Sequence, residues 1–384
     1  MNLFLMFITT FLIQLIVTAE MNIMGPLAPF LASHFNINQS MVILFNLGYS
    51  AVGFLVPYLG VFADKHGKKR SLIISLCFFI FGSILAGFAR NPYIFAFARI
   101  FIGFSFFSIS GTNLSYISEF ISYGNRGKAS GLLRIAFGIA ILVSPIYAGF
   151  LVSKYDNLQS IYMPLALFAL LALVFLTRLP ETNKCPDIKI DKKEFLSLLK
   201  NPLAAKVLLT VFLILTAPSL ILNYLSIYLS NNFNLSQVNI GMAYTLVAAG
   251  STAGISLSAI FSDKIGKLKL SKILFLLMFL AISPIPHLKS LRLLLGFTVI
   301  FSLGLDGAWT SYQTFASEII PEKRGTFMSL FYTMNALTVT FYSLLGPILY
   351  NSGGFKLIST IALLSVFIGI LIISRFKVKE KTIN

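Results

Sequence analysis

Charge is what this sequence has least of. Only 11% of its 384 residues are Asp, Glu, Lys or Arg, against about 25% in a typical soluble domain. Acidic residues are scarcer still, with 13 against 30 basic ones. Hydrophobic residues make up 57%. That balance excludes a string of soluble domains, a disordered chain and a collagen-like fibre. Two cysteines are too few for a disulfide-stapled secreted module. His34, His66 and His287 show no metal-ligand spacing, so no metal site is expected. There is no phosphate-binding glycine loop and no nucleophile–base signature, so an enzyme is not expected. The net charge of +17 would suggest a nucleic-acid partner on a soluble protein. Its placement decides whether it does so here.

What the sequence has in abundance is long apolar runs. A helix needs about 20 such residues to cross a bilayer. Twelve are predicted, at 3–33, 39–63, 71–90, 92–118, 128–153, 159–179, 203–231, 236–262, 272–287, 289–316, 325–350 and 354–374. A tight hairpin is expected around Pro284, Pro286 and His287. Runs of this length suit helices, which bond their own backbone; barrel strands would alternate over about ten residues. The first run is no cleavable signal peptide. It has no Lys or Arg between Met1 and Ala19 and continues past Gly25-Pro26.

Twelve spans separate the loops into two sets. One set carries 23 of the 30 basic residues and the other five. The last two, Arg99 and Arg134, fall inside spans. Positive loops stay on the cytoplasmic side. Both termini are therefore expected in the cytoplasm, and the charge becomes a topology signal in place of a nucleic-acid footprint. Cys77 reads as a small core hydrophobe in span three, with Cys185 in a cytoplasmic linker.

The chain repeats itself. Gly60-Val-Phe-Ala-Asp64-Lys-His-Gly67-Lys68 follows span two, and Ala259-Ile-Phe-Ser-Asp263-Lys-Ile-Gly266-Lys267 follows span eight. Asp64 and Asp263 lie 199 positions apart, as do Gly67 and Gly266. Glu119 and Arg126 after span four answer Glu318 and Arg324 after span ten. Pro145 answers Pro347. The expected organisation is a six-helix half over 1–179, a linker over 180–202, a second six-helix half over 203–374 and a tail over 375–384.

Two six-helix halves carrying Gly-x-x-x-Asp-x-x-Gly-basic-basic between spans two and three resemble the major facilitator superfamily of secondary transporters. The resemblance covers nearly the whole chain and is nearest to the twelve-helix drug:proton antiporters. It implies an all-α integral membrane protein in the cell membrane, usually monomeric. It implies a small-molecule substrate, alternating access and no cofactor, with a proton gradient as the energy source. The loop over Gly60, Asp64, Gly67 and Lys68 would act as a conformational latch. The second copy, with Asp263 and Gly266, departs from the pattern at Ala259 and Leu268, and a weaker latch is expected there. Glu119 with Arg126, and Glu318 with Arg324, are expected to form ion pairs at helix ends.

Four ionisable groups lie well inside spans: Glu20, Arg99, Arg134 and Asp306. Each costs about 2.5–3.5 kcal/mol at mid-helix, so each needs a reason. Glu20, near the middle of span one, is placed to exchange protons, to bind a cationic substrate or to serve as a buried structural partner. Arg99 opens Arg99-Ile-Phe-Ile-Gly103, similar to an Arg-x-x-x-Gly element that the family associates with proton transfer. Glu20 is one candidate partner for it, although helix arithmetic sets Arg99 nearer the outer surface. In span five, Gly138, Pro145 and Gly149 partly match the Gly-Pro-x-x-Gly-Gly element of antiporters, with Ser144 and Ala148 in place of glycine. Arg134 in the same span suits an anionic group or snorkelling to the interface. Asp306 precedes Trp309, Tyr312 and Gln313, a grouping fit for an organic cation or for helix packing. Asn22, Asn46, Asn113 and Tyr224 are further candidates to line a cavity. Proton-coupled efflux of lipophilic or cationic compounds is the leading expectation. Transport of a sugar, organic anion or amino acid is the alternative.

Overall fold

The computed structural model describes residues 3–122, 126–185 and 192–376. It divides into two units, one of residues 1–190 with 236–241, the other of residues 191–235 with 242–384.

In the first unit α1 (Leu3–Ile23) stops at a turn through Gly25-Pro26, and α2 (Ala28–His34) restarts the chain. The predicted span 3–33 is therefore two helices. Proline has no N–H to continue the ladder and disfavours helix in the residue before it. Span two runs over 39–66 in alternating α and 3-10 turns, including α3 (Phe45–Ala51) and α4 (Val56–His66). Next come α5 (Lys68–Gly87), α6 (Pro92–Ser118), α7 (Arg126–Tyr155) and α8 (Gln159–Thr177). Helix α6 starts sharply: the Asn91 side chain accepts from the Ile94 N–H at 2.9 Å, and Pro92 occupies the first position. Helix α1 packs on α6, α7 and α8, and α5 packs on α6 and α8.

The chain continues with α9 (Lys192–Lys200), α10 (Pro202–Phe233), α11 (Gln237–Ile265), α12 (Lys267–Ile282), α13 (Leu291–Ile319) and α14 (Arg324–Ser374). The turn between α12 and α13 is the expected hairpin, with a 3-10 turn at Ile285–His287. Helix α14 has 51 residues, or about 76 Å at 1.5 Å per residue, far beyond a hydrocarbon core of about 30 Å. It breaks at Gly353 and Gly354, whose backbone angles are not helical. Eleven apolar helical stretches thus make twelve crossings among the described residues. In the second unit α10 and α12 pack on α14, and α12 also packs on α13.

Cys77 lies exposed on α5, against the expectation of a core position. A membrane helix is apolar on its lipid side too, so an apolar neighbourhood in sequence does not imply the core.

Candidate functional site: a buried ion pair and two lysine–acid triads

Four helices of the first unit converge on one charge pair. Helix α1 brings Glu20, α3 brings Asn46 and Tyr49, α6 brings Arg99 and α8 brings Tyr162. Glu20 is 0% exposed and Arg99 is 1% exposed. Arg99 Nη1 donates to Glu20 Oε1. Its Nη2 donates to Asn46 Oδ1 at 3.2 Å. The guanidinium carbon stands 4.3 Å from the centre of the Tyr49 ring. Tyr162 reaches the same Glu20 oxygen from the other side, its hydroxyl donating at 3.5 Å. A buried charge needs a partner and hydrogen bonds, because its desolvation is otherwise uncompensated. Arg99 has a carboxylate, an amide and an aromatic face.

Glu20 lies in the last turn of α1, not near the middle of a span. Helix α1 ends at Ile23, so Glu20 sits near its end, and it meets Arg99 in the early turns of α6. Tyr49 and Tyr162 carried no signal in the sequence. Tyr49 stands three residues after Asn46 and so shares its face. Tyr162 becomes relevant only once α8 packs against α1.

Chemically, the pair has two states. With Glu20 ionised, the carboxylate and guanidinium neutralise each other. When Glu20 takes a proton, that attraction is lost, while Asn46 and Tyr49 still hold the Arg99 cation.

The second feature occurs twice. Lys68 Nζ lies 3.9 Å from Asp64 Oδ1 and pairs with Glu119. Lys267 Nζ lies 3.9 Å from Asp263 Oδ1 and pairs with Glu318. The preceding glycines match as well, Gly67 at φ 96°, ψ 136° and Gly266 at φ 97°, ψ 132°. Only glycine takes such a conformation at little cost. The second copy is therefore geometrically intact, and its departures at Ala259 and Leu268 leave the triad in place. Gly60 is open, with nothing near a built Cβ.

At the second copy the acid takes another partner than the expected Arg324. Glu119 and Glu318 pair with the lysines that open the neighbouring helices α5 and α12. Arg324 instead donates to the Ser317 hydroxyl at 3.1 Å. The side chain of Arg126 lies outside the described residues. Lys68 opens α5 and Lys267 opens α12, which pack on α6 and α13, so each lysine stands beside the acid at the end of the following helix.

The remaining candidates scatter. Asn113 Nδ2 donates to the Thr10 carbonyl at 2.9 Å and ties α6 to α1. Asn22 Nδ2 donates to Thr18 O within its own helix at 2.8 Å. Tyr224 is fully buried, stacked on Tyr350 with ring centres 4.7 Å apart. Tyr312 is buried among Phe275, Phe315 and Phe331. Both belong to packed core. Asp306 is half-buried, Trp309 packs on Phe331 at 4.9 Å, and Gln313 bonds to Tyr332. Arg134 is exposed on α7. In the span-five motif, Gly149 is tightly packed: a Cβ there would come 2.6 Å from the Gln237 carbonyl. Gly138 meets nothing, and Pro145 sits inside α7.

The sequence profile of the Major Facilitator Superfamily matches residues 10–338 and also 207–383. The chain belongs to the major facilitator superfamily. It is accordingly a multi-pass membrane transporter of small molecules, not an enzyme, and needs no cofactor. Among its relatives is the fosmidomycin resistance protein of Escherichia coli, 26% identical over 315 residues, covering 79% of this chain and 76% of the relative. A sialic acid transporter of the same organism is 26% identical over 289 residues, covering 73% and 70%. The crystal structure of a D-xylose-proton symporter shares the superfamily fold, with a TM-score of 0.77 at 17% identity and 96% and 97% coverage.

Proposed function

We propose that this superfamily transporter is a proton-coupled exporter of lipophilic or cationic small molecules. It works as a monomer in the cell membrane, with both termini in the cytoplasm. The carrying observation is the fully buried Glu20–Arg99 pair, an intramembrane ion pair that protonation of Glu20 would break. Orientation rests on the 23 basic residues gathered on one set of loops. Asp306, Trp309 and Gln313 recur at a spacing that keeps them on neighbouring turns of α13. They offer an acid, an aromatic ring and an amide to a cation. The two halves, 1–179 and 203–374, would alternate around their sites, with the linker 180–202 between them. A relative whose name records resistance to an antimicrobial fits export.

The test uses purified protein in liposomes with ethidium as the probe. Wild type should move the dye when a pH gradient is imposed and stop when the gradient is collapsed. Glu20→Gln should abolish gradient-driven flux while leaving exchange of dye across the membrane. Wild-type flux that ignores the gradient would sink the proposal.

The latches should act on rate more than on stability. Their carboxylates and lysines are partly exposed, and exposed pairs contribute at most about 1 kcal/mol. Glu119→Gln and Glu318→Gln are each expected to shift thermal unfolding only slightly while slowing transport several-fold. Unchanged uptake in both variants would remove the latch role.

A second reading has its own support. Arg134 is exposed on α7, where it suits an anionic metabolite, and one relative is a sialic acid transporter. Thermal-shift screening against sugars, organic anions and dyes separates the two, since a bound ligand raises apparent stability.

A further inference from the structure

The segment after α8 does not leave the first unit directly. It crosses the basic end of that unit and is bound at and beside the first latch by six contacts. Lys69 Nζ donates to the Thr177 and Leu179 carbonyls at 3.0 and 2.7 Å and pairs with Glu181 at 3.2 Å. The Tyr116 hydroxyl donates to the Pro180 carbonyl at 3.0 Å. The Lys68 N–H, at the start of α5, donates to Thr182 Oγ1 at 2.7 Å. The Cys185 N–H donates to the Asp64 carbonyl at 2.9 Å. Thr182 is only 6% exposed. A Cβ on Gly67 would press against the Thr182 hydroxyl at 3.3 Å.

Two of these bonds fall on the latch residues themselves, and the others on their neighbours Lys69 and Tyr116. Lys68 supplies the ammonium that bridges Asp64 and Glu119, and its backbone N–H is the group that Thr182 satisfies. Asp64 supplies the carboxylate, and its carbonyl receives Cys185. The sequence repeat adds an independent point. Position 69 corresponds to Leu268 in the second copy. The lysine that gathers three strap groups is absent there, although the second triad is intact. A lysine at this position is thus not needed for the triad, and in the first copy it binds the strap.

We propose that residues 177–185 form a strap that is a working part of the first latch, with Thr182 as its positioning residue. Thr182 fixes the Gly67–Lys68 turn so that the Lys68 ammonium reaches both acids. Strap and triad then bind cooperatively: each holds the turn in the conformation that the other requires. Opening the latch releases the start of the linker, and tension on the linker opens the latch. This coupling goes beyond the proton-coupling reading and does not depend on it.

Hydrogen exchange at single amides tests the coupling on the full chain in detergent, with no substrate needed. The Lys68 and Cys185 amides are the reporters. Thr182→Val should speed exchange at both by roughly tenfold, the scale of one buried hydrogen bond, and Thr182→Ser should restore wild-type rates. Glu119→Gln, which touches neither the strap nor Cys185, should also speed the Cys185 amide. Glu318→Gln in the other half should not. If Thr182→Val does not fold, Tyr116→Phe removes the Pro180 bond and should speed Cys185 in the same direction. A strap that merely tethers the chain would respond to Thr182→Val but not to Glu119→Gln, and that result overturns the proposal. So does a Cys185 amide indifferent to both strap variants.

Discussion

Arg99→Leu is expected to destabilise the protein by about 3–5 kcal/mol, the scale of breaking one side of a buried ion pair. The loss arises mainly on Glu20, which stays at 0% exposure with its charge partner gone. Asn46 also loses the donor to its amide oxygen. The double variant Glu20→Leu/Arg99→Leu should regain most of the stability, because well-packed apolar residues often replace a buried pair without loss. It should not regain gradient-driven transport. Thermal unfolding of the three proteins, with flux measured on the same preparations, checks both statements. A double variant no more stable than Arg99→Leu would show that the charges are not what holds the site.

Gly103→Val is expected to be the next most damaging substitution, and it explains the glycine four residues after Arg99. A Cβ at Gly103 would lie 2.7 Å from the Tyr49 Cα. The backbone of α3 therefore passes directly against α6, and this approach sets the Tyr49 ring over the Arg99 guanidinium. Valine forces the helices apart. Overpacking of this kind costs about 1–3 kcal/mol. Here it also withdraws Tyr49 and Asn46 from Arg99 together. The expected result is a lowered unfolding temperature with transport lost out of proportion to it. Gly138→Ala, in the open on α7, should change neither and serves as the control.

The latch motifs were legible because they repeat. A spacing of 199 positions, seen at Asp64 and Asp263 and again at Gly67 and Gly266, needs no coordinates. The lysines that complete the triads were harder to see. Sequence proximity favoured Arg126 and Arg324 as partners of Glu119 and Glu318, whereas the fold brings Lys68 and Lys267 across from the neighbouring helix. The charged pair was legible only in part. Glu20 and Arg99 stood out as costly in lipid, but a single uninterrupted first span placed Glu20 too deep. Gly25-Pro26 ends α1, so Glu20 lies in a last turn, and only the packing of α1 on α6 shows that it meets Arg99. Tyr224 and Tyr312 could not be told from cavity residues, because a buried tyrosine and a ligand-facing one have the same letter and the same apolar neighbours. Helix packing alone separates them.

The sequence by itself determined that the chain crosses a membrane twelve times as two related halves. Hydropathy and repeat spacing are sums over neighbouring residues, and neighbours along the chain are known without a fold. The tertiary structure alone decided that Glu20 meets Arg99 across 79 positions, that Tyr49 and Tyr162 stand against the pair, and that the linker binds back onto the first latch. These contacts join distant segments, and their existence depends on where helices break and how closely glycines let them approach.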